Sequence, residues 1–170
     1  MRVDVTIIGS GPAGIQAAIH CSRKKAKTVI VGHPEKSAIY EHEVENLLGY
    51  RLITGRELIE VGVEQAQRFG AKLLREDVVR LERQASGFRV TTDHGTQVDT
   101  AVLVLAPGVS RSKLGVQGEK RFHGKGVSYC AQCDCNFFKG RRVAVVGDES
   151  EAASSALLLT EYASKVYWIV

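Results

Sequence analysis

The feature that most constrains this chain is a glycine-rich turn, GSGPAG, at residues 9–14. The segment before it, VDVTIIG at residues 3–9, is apolar and β-branched, which is typical of a buried parallel strand. We expect a helix from about Pro12 to Lys24 and then a second strand in TVIVG. A strand, a helix and a strand at this spacing form a βαβ unit, so the sequence predicts an α/β fold.

Each glycine of this turn has a separate physical role. Gly9 permits the tight turn, Gly11 lets the backbone approach a pyrophosphate, and Gly14 lets the helix pack closely on the strand. The N-terminus of the helix attracts the phosphate charge. An ordinary strand–helix turn is the alternative, but three glycines in register favour a nucleotide site. The second strand continues as VIVGHPE, so no acid stands where a ribose partner is expected, and Glu35 comes late.

A second helix is predicted in ITGRELIEVGVEQAQRFG. Thr54 and Glu57 have the spacing of a capping box, and Gly70 is placed to end the helix. After it, three segments alternate or run apolar, so we expect short strands that cap the first unit, with DHG turning between the last two. These segments are AKLLREDVVRLERQ, GFRVTTD and TQVDTAVLVLAPG.

The polar and glycine-rich stretch SRSKLGVQGEKRFHGKG follows, and it predicts a linker or domain boundary. A second βαβ pattern then begins at RRVAVVGDESEAASSALLLTEYASKVYWIV. It stops inside what should be a buried strand, and an exposed apolar strand edge promotes aggregation. We therefore expect the chain to be incomplete at its C-terminus.

Composition narrows the classes of function. Hydrophobic residues make up 44% and charged residues 25%, as in an ordinary globular domain. The chain has no apolar run near the ~18 residues of a membrane span and no signal-peptide pattern, so we predict a cytoplasmic protein without a membrane partner. The net charge of +4 is spread out, and its densest run, CSRKKAK, is expected at a helix end. No aromatic residues interleave with it, so nucleic acid is not predicted as a partner.

Three of the four cysteines lie in SYCAQCDCNFFKG. Cys130, Cys133 and Cys135 are three possible zinc ligands with His123 as a fourth, but no second pair has zinc-site spacing, and we predict no metal. A dithiol needs only Cys130 and Cys133, because this spacing at a helix start brings two sulfurs within bonding range and the dipole favours a thiolate. Asp134 is then a candidate proton shuttle, or simply an acid that complements the helix dipole.

The motifs GSGPAG, VENLLG, VLAPGVSR, GVSYCAQCD and VAVVGDESEA occur in the order and spacing of the thioredoxin reductase family. The chain resembles these flavoproteins, which are pyridine-nucleotide disulfide oxidoreductases, over a little more than half of a member. YCAQCD is the most specific element. The resemblance implies a Rossmann-like FAD/NAD(P)-binding three-layer fold and the start of a second Rossmann-like unit. Residues 1–112 are then the N-terminal part of the FAD-binding domain, and residues 113–170 an incomplete NAD(P)-binding and redox domain.

The resemblance also implies roles for individual residues. Cys133 faces the flavin, Cys130 is the interchange thiol, and Asp134 is the acid–base residue. Asn46 lies near the flavin ring, and Gly108 lines its site. The nucleotide-site residues predicted in this way are Gly9, Ser10, Gly11, Pro12, Ala13, Gly14, Asn46, Gly108 and Gly147.

The implied activity is that of a thioredoxin-disulfide reductase. Electrons pass from NADPH to FAD, then to the Cys130–Cys133 pair and on to a thioredoxin-like protein. A homodimer is the expected assembly. From a different class of function, a dinucleotide-binding or interaction module that has lost turnover is the alternative.

The chain departs from the family pattern in three places. SAIY at residues 37–40 stands where the family has G-G-Q-L, and Ala-Pro-Gly replaces Ala-Thr-Gly. Glu149 takes the position of the middle glycine in GDESEA. Two like charges ~4 Å apart at an effective dielectric constant of about 20 cost about 4 kcal/mol, so NADPH is expected to bind poorly in the usual pose. A reductase that takes its electrons from ferredoxin or another protein is therefore an alternative.

Overall fold

The computed structural model describes residues 1–109 and 112–170, and these two ranges belong to two separate compact units. The last two residues of the VLAPGVSR motif, which also begin the predicted linker, are Ser110 and Arg111, and they lie outside the described residues.

The first unit is built on a βαβ arrangement that the sequence predicted. Its helices are α1 (Pro12–Arg23) and α2 (Gly55–Arg68), and a 3-10 turn covers Pro34–Lys36. Its strands are β1 (Arg2–Ile8), β2 (Thr28–Val31), β3 (Glu43–Val44), β4 (Ile53–Thr54), β5 (Lys72–Leu74), β6 (Val78–Gln84), β7 (Gly87–Thr92) and β8 (Gln97–Leu105).

The main sheet has the strand order β5-β2-β1-β8-β7-β6. Strand β1 pairs in parallel with both β2 and β8, and β7 pairs antiparallel with β8 and β6. The prediction that the later strands only cap the first unit was wrong for β8, which lies beside β1 inside the sheet. The stretch AKLLREDVVRLERQ also divides into β5 and β6, at opposite edges. Local patterns predict that a strand forms, but pairing partners depend on contacts far apart in sequence.

Helices α1 and α2 pack over one face of the parallel strands. Their contact is close because Gly62 has no side chain, and a Cβ there would lie 2.9 Å from Cγ2 of Ile15. Full burial of one aliphatic side chain stabilises the fold by about 1.5–3 kcal/mol. The aliphatic residues of this core include Val5, Ile7, Ile15, Ile19, Ile30, Ile59 and Val63.

The ends of α2 are formed by the residues that the sequence indicated. The backbone N–H of Glu57 donates to Oγ1 of Thr54 at 3.2 Å, which satisfies one of the free donors in the first turn. Gly70 follows the helix with φ +99°, a conformation that favours glycine. The predicted capping residue and helix end are confirmed.

The second unit contains the second predicted βαβ arrangement. Strands β9 (Arg142–Val146) and β10 (Lys165–Ile169) pair in parallel, with Val145 opposite Trp168. Helix α5 (Ser150–Leu159) covers them with the buried side chains of Ala156 and Leu159. Together with the first unit, this confirms a mixed α/β, Rossmann-like fold. The elements are α3 (Glu119–Phe122), α4 (Ala131–Asp134), a 3-10 turn (Cys135–Phe138), β9 (Arg142–Val146), α5 (Ser150–Leu159) and β10 (Lys165–Ile169).

A membrane-spanning helix would need both length and an apolar surface. Within residues 1–109 and 112–170, no helix has enough of either to cross a bilayer.

Candidate active site

The glycine-rich turn connects the end of β1 to the start of α1. Gly9 has φ +110°, and a Cβ at this position would lie only 2.0 Å from the carbonyl oxygen of Ala106, just beyond β8. Both the left-handed conformation and the lack of space require glycine. The turn is therefore held at the end of the two neighbouring strands β1 and β8.

The other two glycines have different surroundings. A Cβ on Gly14 would lie 1.9 Å from the carbonyl oxygen of Gly9, so only glycine lets α1 start this close to the turn. At Gly11 the nearest atom to such a Cβ is Oγ of Ser37, at 3.4 Å, which leaves open space beside the backbone. Among the described residues, no side chain caps α1 by a hydrogen bond, and its first turn has no acid. This geometry fits a pyrophosphate bound at a helix N-terminus.

The remaining residues predicted to contact the flavin nucleotide lie in this turn and in two later connections of the chain. Ser10 is buried within the motif, whereas Pro12 and Ala13 are exposed in the first turn of α1. Gly108 has φ +75° and is exposed after β8. Asn46 is exposed on the connection between β3 and β4. The binding roles of these residues stay predictions.

The SAIY segment, which departs from the family pattern, has side chains at two different places. Ser37 lies beside Gly11, since its Oγ is the nearest atom to a Cβ built on that glycine, at 3.4 Å. The hydroxyl of Tyr40 donates to Oε1 of Glu60 on α2 at 2.9 Å, and this bond raises the pKa of Tyr40. The guanidinium of Arg56 lies 5.1 Å from the centre of the same ring. Tyr40 therefore anchors the segment to α2.

Glu35 is the acid nearest to the expected ribose position. Its Oε2 accepts from Nη1 of Arg75 at 2.6 Å, and its Oε1 lies 3.3 Å from Nδ1 of His33. The pKa of Glu35 is lowered, first by a hydrogen bond from its own backbone and then by His33 and Arg75. Both carboxylate oxygens of Glu35 therefore have partners on neighbouring side chains.

The redox candidate is the pair of cysteines at the start of α4. Cys130 and Cys133 form a disulfide with their Cα atoms 5.3 Å apart. Cys130 is the N-cap residue, and its Sγ accepts the backbone N–H of Cys133 at 3.2 Å. Cys133 is exposed and Cys130 is half-buried. The predicted helix start at this motif is confirmed.

Asp134 is held in the same loop by Ser128, a residue to which the sequence assigned no role. Oγ of Ser128 donates to Oδ2 of Asp134 at 2.6 Å and accepts the backbone N–H of Cys130 at 3.0 Å. The backbone N–H of Asp134 donates to the carbonyl of Cys130 at 3.1 Å. The structure thus brings the predicted acid–base residue and the disulfide into one hydrogen-bonded loop.

The zinc alternative is not favoured by this arrangement, because two of its three sulfurs are joined to each other. The third, on Cys135, is buried, and its thiol faces the carbonyl of Gln132 at 3.8 Å. The ring of His123 packs against Tyr129, with centroids 5.2 Å apart. Among the described residues, the side chains that come together in a possible metal-binding group lie elsewhere, in the connection before β6 and the turn after β7. They are Glu76, Asp93 and His94.

A buried carboxylate supports the cysteine loop from the polar segment before it. Glu119 accepts the backbone N–H groups of Leu114 and Gly115 at 2.8 and 2.6 Å, and also the hydroxyl of Tyr129, next to Cys130. The bond from Tyr129, followed by the backbone bond from Leu114, lowers the pKa of Glu119. The sequence suggested only a linker here, because partners 4 to 10 residues away leave no periodic signal.

The sequence profile of the family described as pyridine nucleotide-disulphide oxidoreductase matches residues 3–170. The chain belongs to this family.

Members named thioredoxin reductase are similar along almost the whole chain, which confirms the resemblance seen in the motifs. The proteins of Bacillus subtilis (strain 168) and Aquifex aeolicus (strain VF5) are 38% and 35% identical over 96% and 98% of this chain. The structure of the Giardia duodenalis thioredoxin reductase, 36% identical, matches with a TM-score of 0.88 over 98% of this chain and 55% of its own. The chain spans about half the length of the curated relatives, 52% and 53% for those two.

The second loop predicted to bind a nucleotide is GDESEA, at residues 147–152, and the family's name points to a pyridine nucleotide there. Gly147 has φ +142°, and its carbonyl accepts Nε1–H of Trp168 at 2.7 Å, which fixes the turn. Glu149 is the N-cap residue of α5, with extended backbone and an exposed side chain. An acidic residue thus occupies the N-cap of the helix whose N-terminus would attract a pyrophosphate. The turn at Gly147 is that of a nucleotide-binding βα loop, and this acidic residue occupies the N-cap position that follows it.

Proposed function

We propose that this chain carries the redox dithiol and the first nucleotide site of a flavin-dependent disulfide oxidoreductase of the thioredoxin reductase type. The observation that carries the proposal is the Cys130–Cys133 disulfide at the start of α4, with Asp134 tethered in the same loop. A helix start favours the thiolate form of a cysteine, which is the reactive species in disulfide exchange. Membership of a disulfide oxidoreductase family supports the same reading.

The protein's own residues carry out the transfer to the substrate. Cys130 loses its proton to Asp134 and attacks one sulfur of the substrate disulfide, forming a mixed disulfide. The leaving thiolate takes the proton back from Asp134. Cys133 then loses its proton in the same way and attacks Sγ of Cys130, which closes the protein disulfide, and the second substrate thiolate takes that proton. Two electrons and two protons pass from the dithiol to the substrate.

A flavin, when bound, supplies the two-electron carrier that returns the disulfide to the dithiol. FAD is the expected flavin, and the GSGPAG turn is its expected phosphate site, with Asn46 and Gly108 as further contacts. The left-handed Gly9 and the open backbone of Gly11 support this assignment, because a dinucleotide needs close backbone approach.

NADPH, the usual electron donor of the family, is the reactant that this chain is least suited to bind. We expect NADPH to bind weakly at GDESEA, since Glu149 places a negative charge beside a dianionic pyrophosphate. A ferredoxin or another protein remains the alternative donor for such an enzyme.

The proposed acceptor is a thioredoxin-like protein, since proteins similar along almost the whole chain are named thioredoxin reductase. Phe137, which follows the disulfide in the same segment, has an exposed apolar side chain that offers contact area to a protein partner. A homodimer and a cytoplasmic location stay predictions.

The test is whether the Cys130–Cys133 pair switches reversibly and whether the protein takes up flavin. The purified chain is reduced with dithiothreitol, desalted, and its native thiols are counted before and after air oxidation. Two thiols should disappear on oxidation in the parent and in the control Cys135→Ser, but not in Cys133→Ser. In parallel, added FAD should show a shifted absorption spectrum on binding. A pair that cannot be oxidised, or stoichiometric zinc in the protein, would disprove the redox assignment.

A further inference from the structure

Ser128 occupies the junction between the two groups that the proposed reaction uses. Its Oγ lies 2.6 Å from Oδ2 of Asp134 and 3.3 Å from the carbonyl oxygen of Cys130. A hydroxyl has one hydrogen to donate, and the shorter contact to a carboxylate is the stronger hydrogen bond. The hydrogen therefore goes to Asp134, and the lone pairs of Oγ remain available for the N–H of Cys130 at 3.0 Å.

We propose that Ser128 is a positioning residue, which holds the carboxylate of Asp134 beside the dithiol so that it transfers protons to and from sulfur. This inference rests on the proposed function and adds a residue to it. Without the hydroxyl, Asp134 keeps its backbone bond to the carbonyl of Cys130 but loses the side-chain bond that selects its rotamer. A free carboxylate at a half-buried site samples several rotamers, and proton transfer requires one of them.

The same hydroxyl couples the acid to the backbone of the attacking residue. Because Oγ bonds the N–H of Cys130 as well as Asp134, the two groups keep one relative position. Proton transfer needs hydrogen-bond reach between the acid and the sulfur. We therefore infer that Ser128 acts through Asp134 and does not contact the substrate itself.

The step that depends on this arrangement is protonation of the leaving thiolate. When the thiolate of Cys130 attacks a substrate disulfide, the sulfur–sulfur bond of the substrate breaks and the departing sulfur takes the proton that Asp134 received from Cys130. A weakly basic leaving thiolate departs without that proton, whereas a strongly basic one departs faster when it receives the proton. The dependence on Ser128 should therefore vary with the leaving group.

The experiment uses the full 170-residue chain, reduced with dithiothreitol and desalted, in single-turnover exchange with two disulfides. One is bis(2-hydroxyethyl) disulfide, whose leaving thiolate is basic, and the other is DTNB, whose leaving thiolate is weakly basic. General acid–base catalysis contributes about 10²–10⁴ in rate, so we expect Asp134→Asn to slow the aliphatic reaction about 100-fold and Ser128→Ala about tenfold. Reaction with DTNB should slow at least about threefold less than the aliphatic reaction in both variants, because its leaving thiolate departs without a proton and only the deprotonation of Cys130 then depends on Asp134.

Two controls separate positioning from a general loss of structure. Ser128→Thr keeps the hydroxyl and should restore the rate, whereas Ser128→Val, which has the same shape without it, should not. If Ser128→Ala fails to fold, the comparison of Ser128→Thr with Ser128→Val still tests the inference. Ser154→Ala removes a hydroxyl from α5, where it donates to the carbonyl of Ser150 at 2.9 Å, and should leave both rates unchanged.

A double-mutant cycle gives the decisive result. If Ser128 acts only through Asp134, the variant with both Ser128→Ala and Asp134→Asn should be as slow as Asp134→Asn alone, within about twofold. Additive losses, or equal losses with both disulfides, would overturn the inference. A slow Asp134→Asn with an unchanged Ser128→Ala would overturn it while leaving the proposed function intact. An unchanged Asp134→Asn would remove the acid–base role itself, together with this inference.

Discussion

Gly14→Ala is the substitution whose effect follows most directly from the geometry. The added methyl group would lie 1.9 Å from the carbonyl oxygen of Gly9, a distance that real Cβ atoms do not show, and 3.4 Å from Cγ2 of Ile7. The pair must separate by about 1.1 Å to reach even the 3.0 Å limit. The obstructing atom belongs to the backbone of a tight turn, which is itself pressed against Ala106, so it cannot move away alone.

The magnitude follows from two opposing effects. Inserting a group into a packed site costs about 1–3 kcal/mol, and a clash with backbone belongs at the upper end of that range. Alanine is more favourable than glycine inside a helix by roughly 0.5–1 kcal/mol, which offsets part of this cost. The net loss in the free energy of unfolding is then about 2 kcal/mol. At about 4 °C for each kcal/mol, the melting temperature should fall by roughly 8 °C.

The matched control is Gly11→Ala in the same turn. Gly11 has φ −79° and ψ −177°, which any residue adopts, and its nearest neighbour would lie 3.4 Å from the new Cβ. We expect its melting temperature to stay within about 2 °C of the parent, because nothing must move. Its affinity for FAD should nevertheless fall, since the methyl group occupies the space through which the backbone approaches a pyrophosphate.

The assays are thermal unfolding followed by circular dichroism, and titration with FAD followed by flavin fluorescence. An unchanged melting temperature in Gly14→Ala would refute the packing argument. Loss of folding in Gly11→Ala would refute the claim that this position is open. Unaltered FAD affinity in Gly11→Ala would remove the support for a dinucleotide on this turn.

Two further predictions concern the second unit. Glu149→Gly should increase the rate at which NADPH reduces the flavin of the complete flavoprotein, measured by stopped-flow bleaching. The reason is that it removes a negative charge whose repulsion of a phosphate ~4 Å away costs about 4 kcal/mol. Fast reduction of the unmutated protein by micromolar NADPH would contradict this. Glu119 has a pKa lowered from 4.5, so its stabilising effect is present above that pH and is lost as the pH falls through the lowered pKa. In urea unfolding near neutral pH, Glu119→Gln should therefore have a lower free energy of unfolding than the parent, and this difference should disappear in acid. A difference in the free energy of unfolding that does not change with pH would disprove the role of the charge.

Much of the local structure was predictable, because it depends on residues close together in sequence. The capping pair Thr54 and Glu57, the terminal Gly70 and the helix start at Cys130 each follow from backbone hydrogen bonding or from allowed dihedral angles. The departure at Glu149 was also visible from its place in the motif. Its location at the N-cap of α5 gives that departure a physical consequence.

What the sequence determined by itself is therefore the set of turns and helix starts, and the type of chemistry at each. A glycine with positive φ or a cysteine at a helix N-cap acts within one turn, so spacing alone identifies it. Only the tertiary structure decided that β8 lies beside β1, that Glu119 supports the cysteine loop and that Ser128 holds Asp134. These contacts join side chains with no periodic relation along the chain. Their geometry exists only after the backbone has folded.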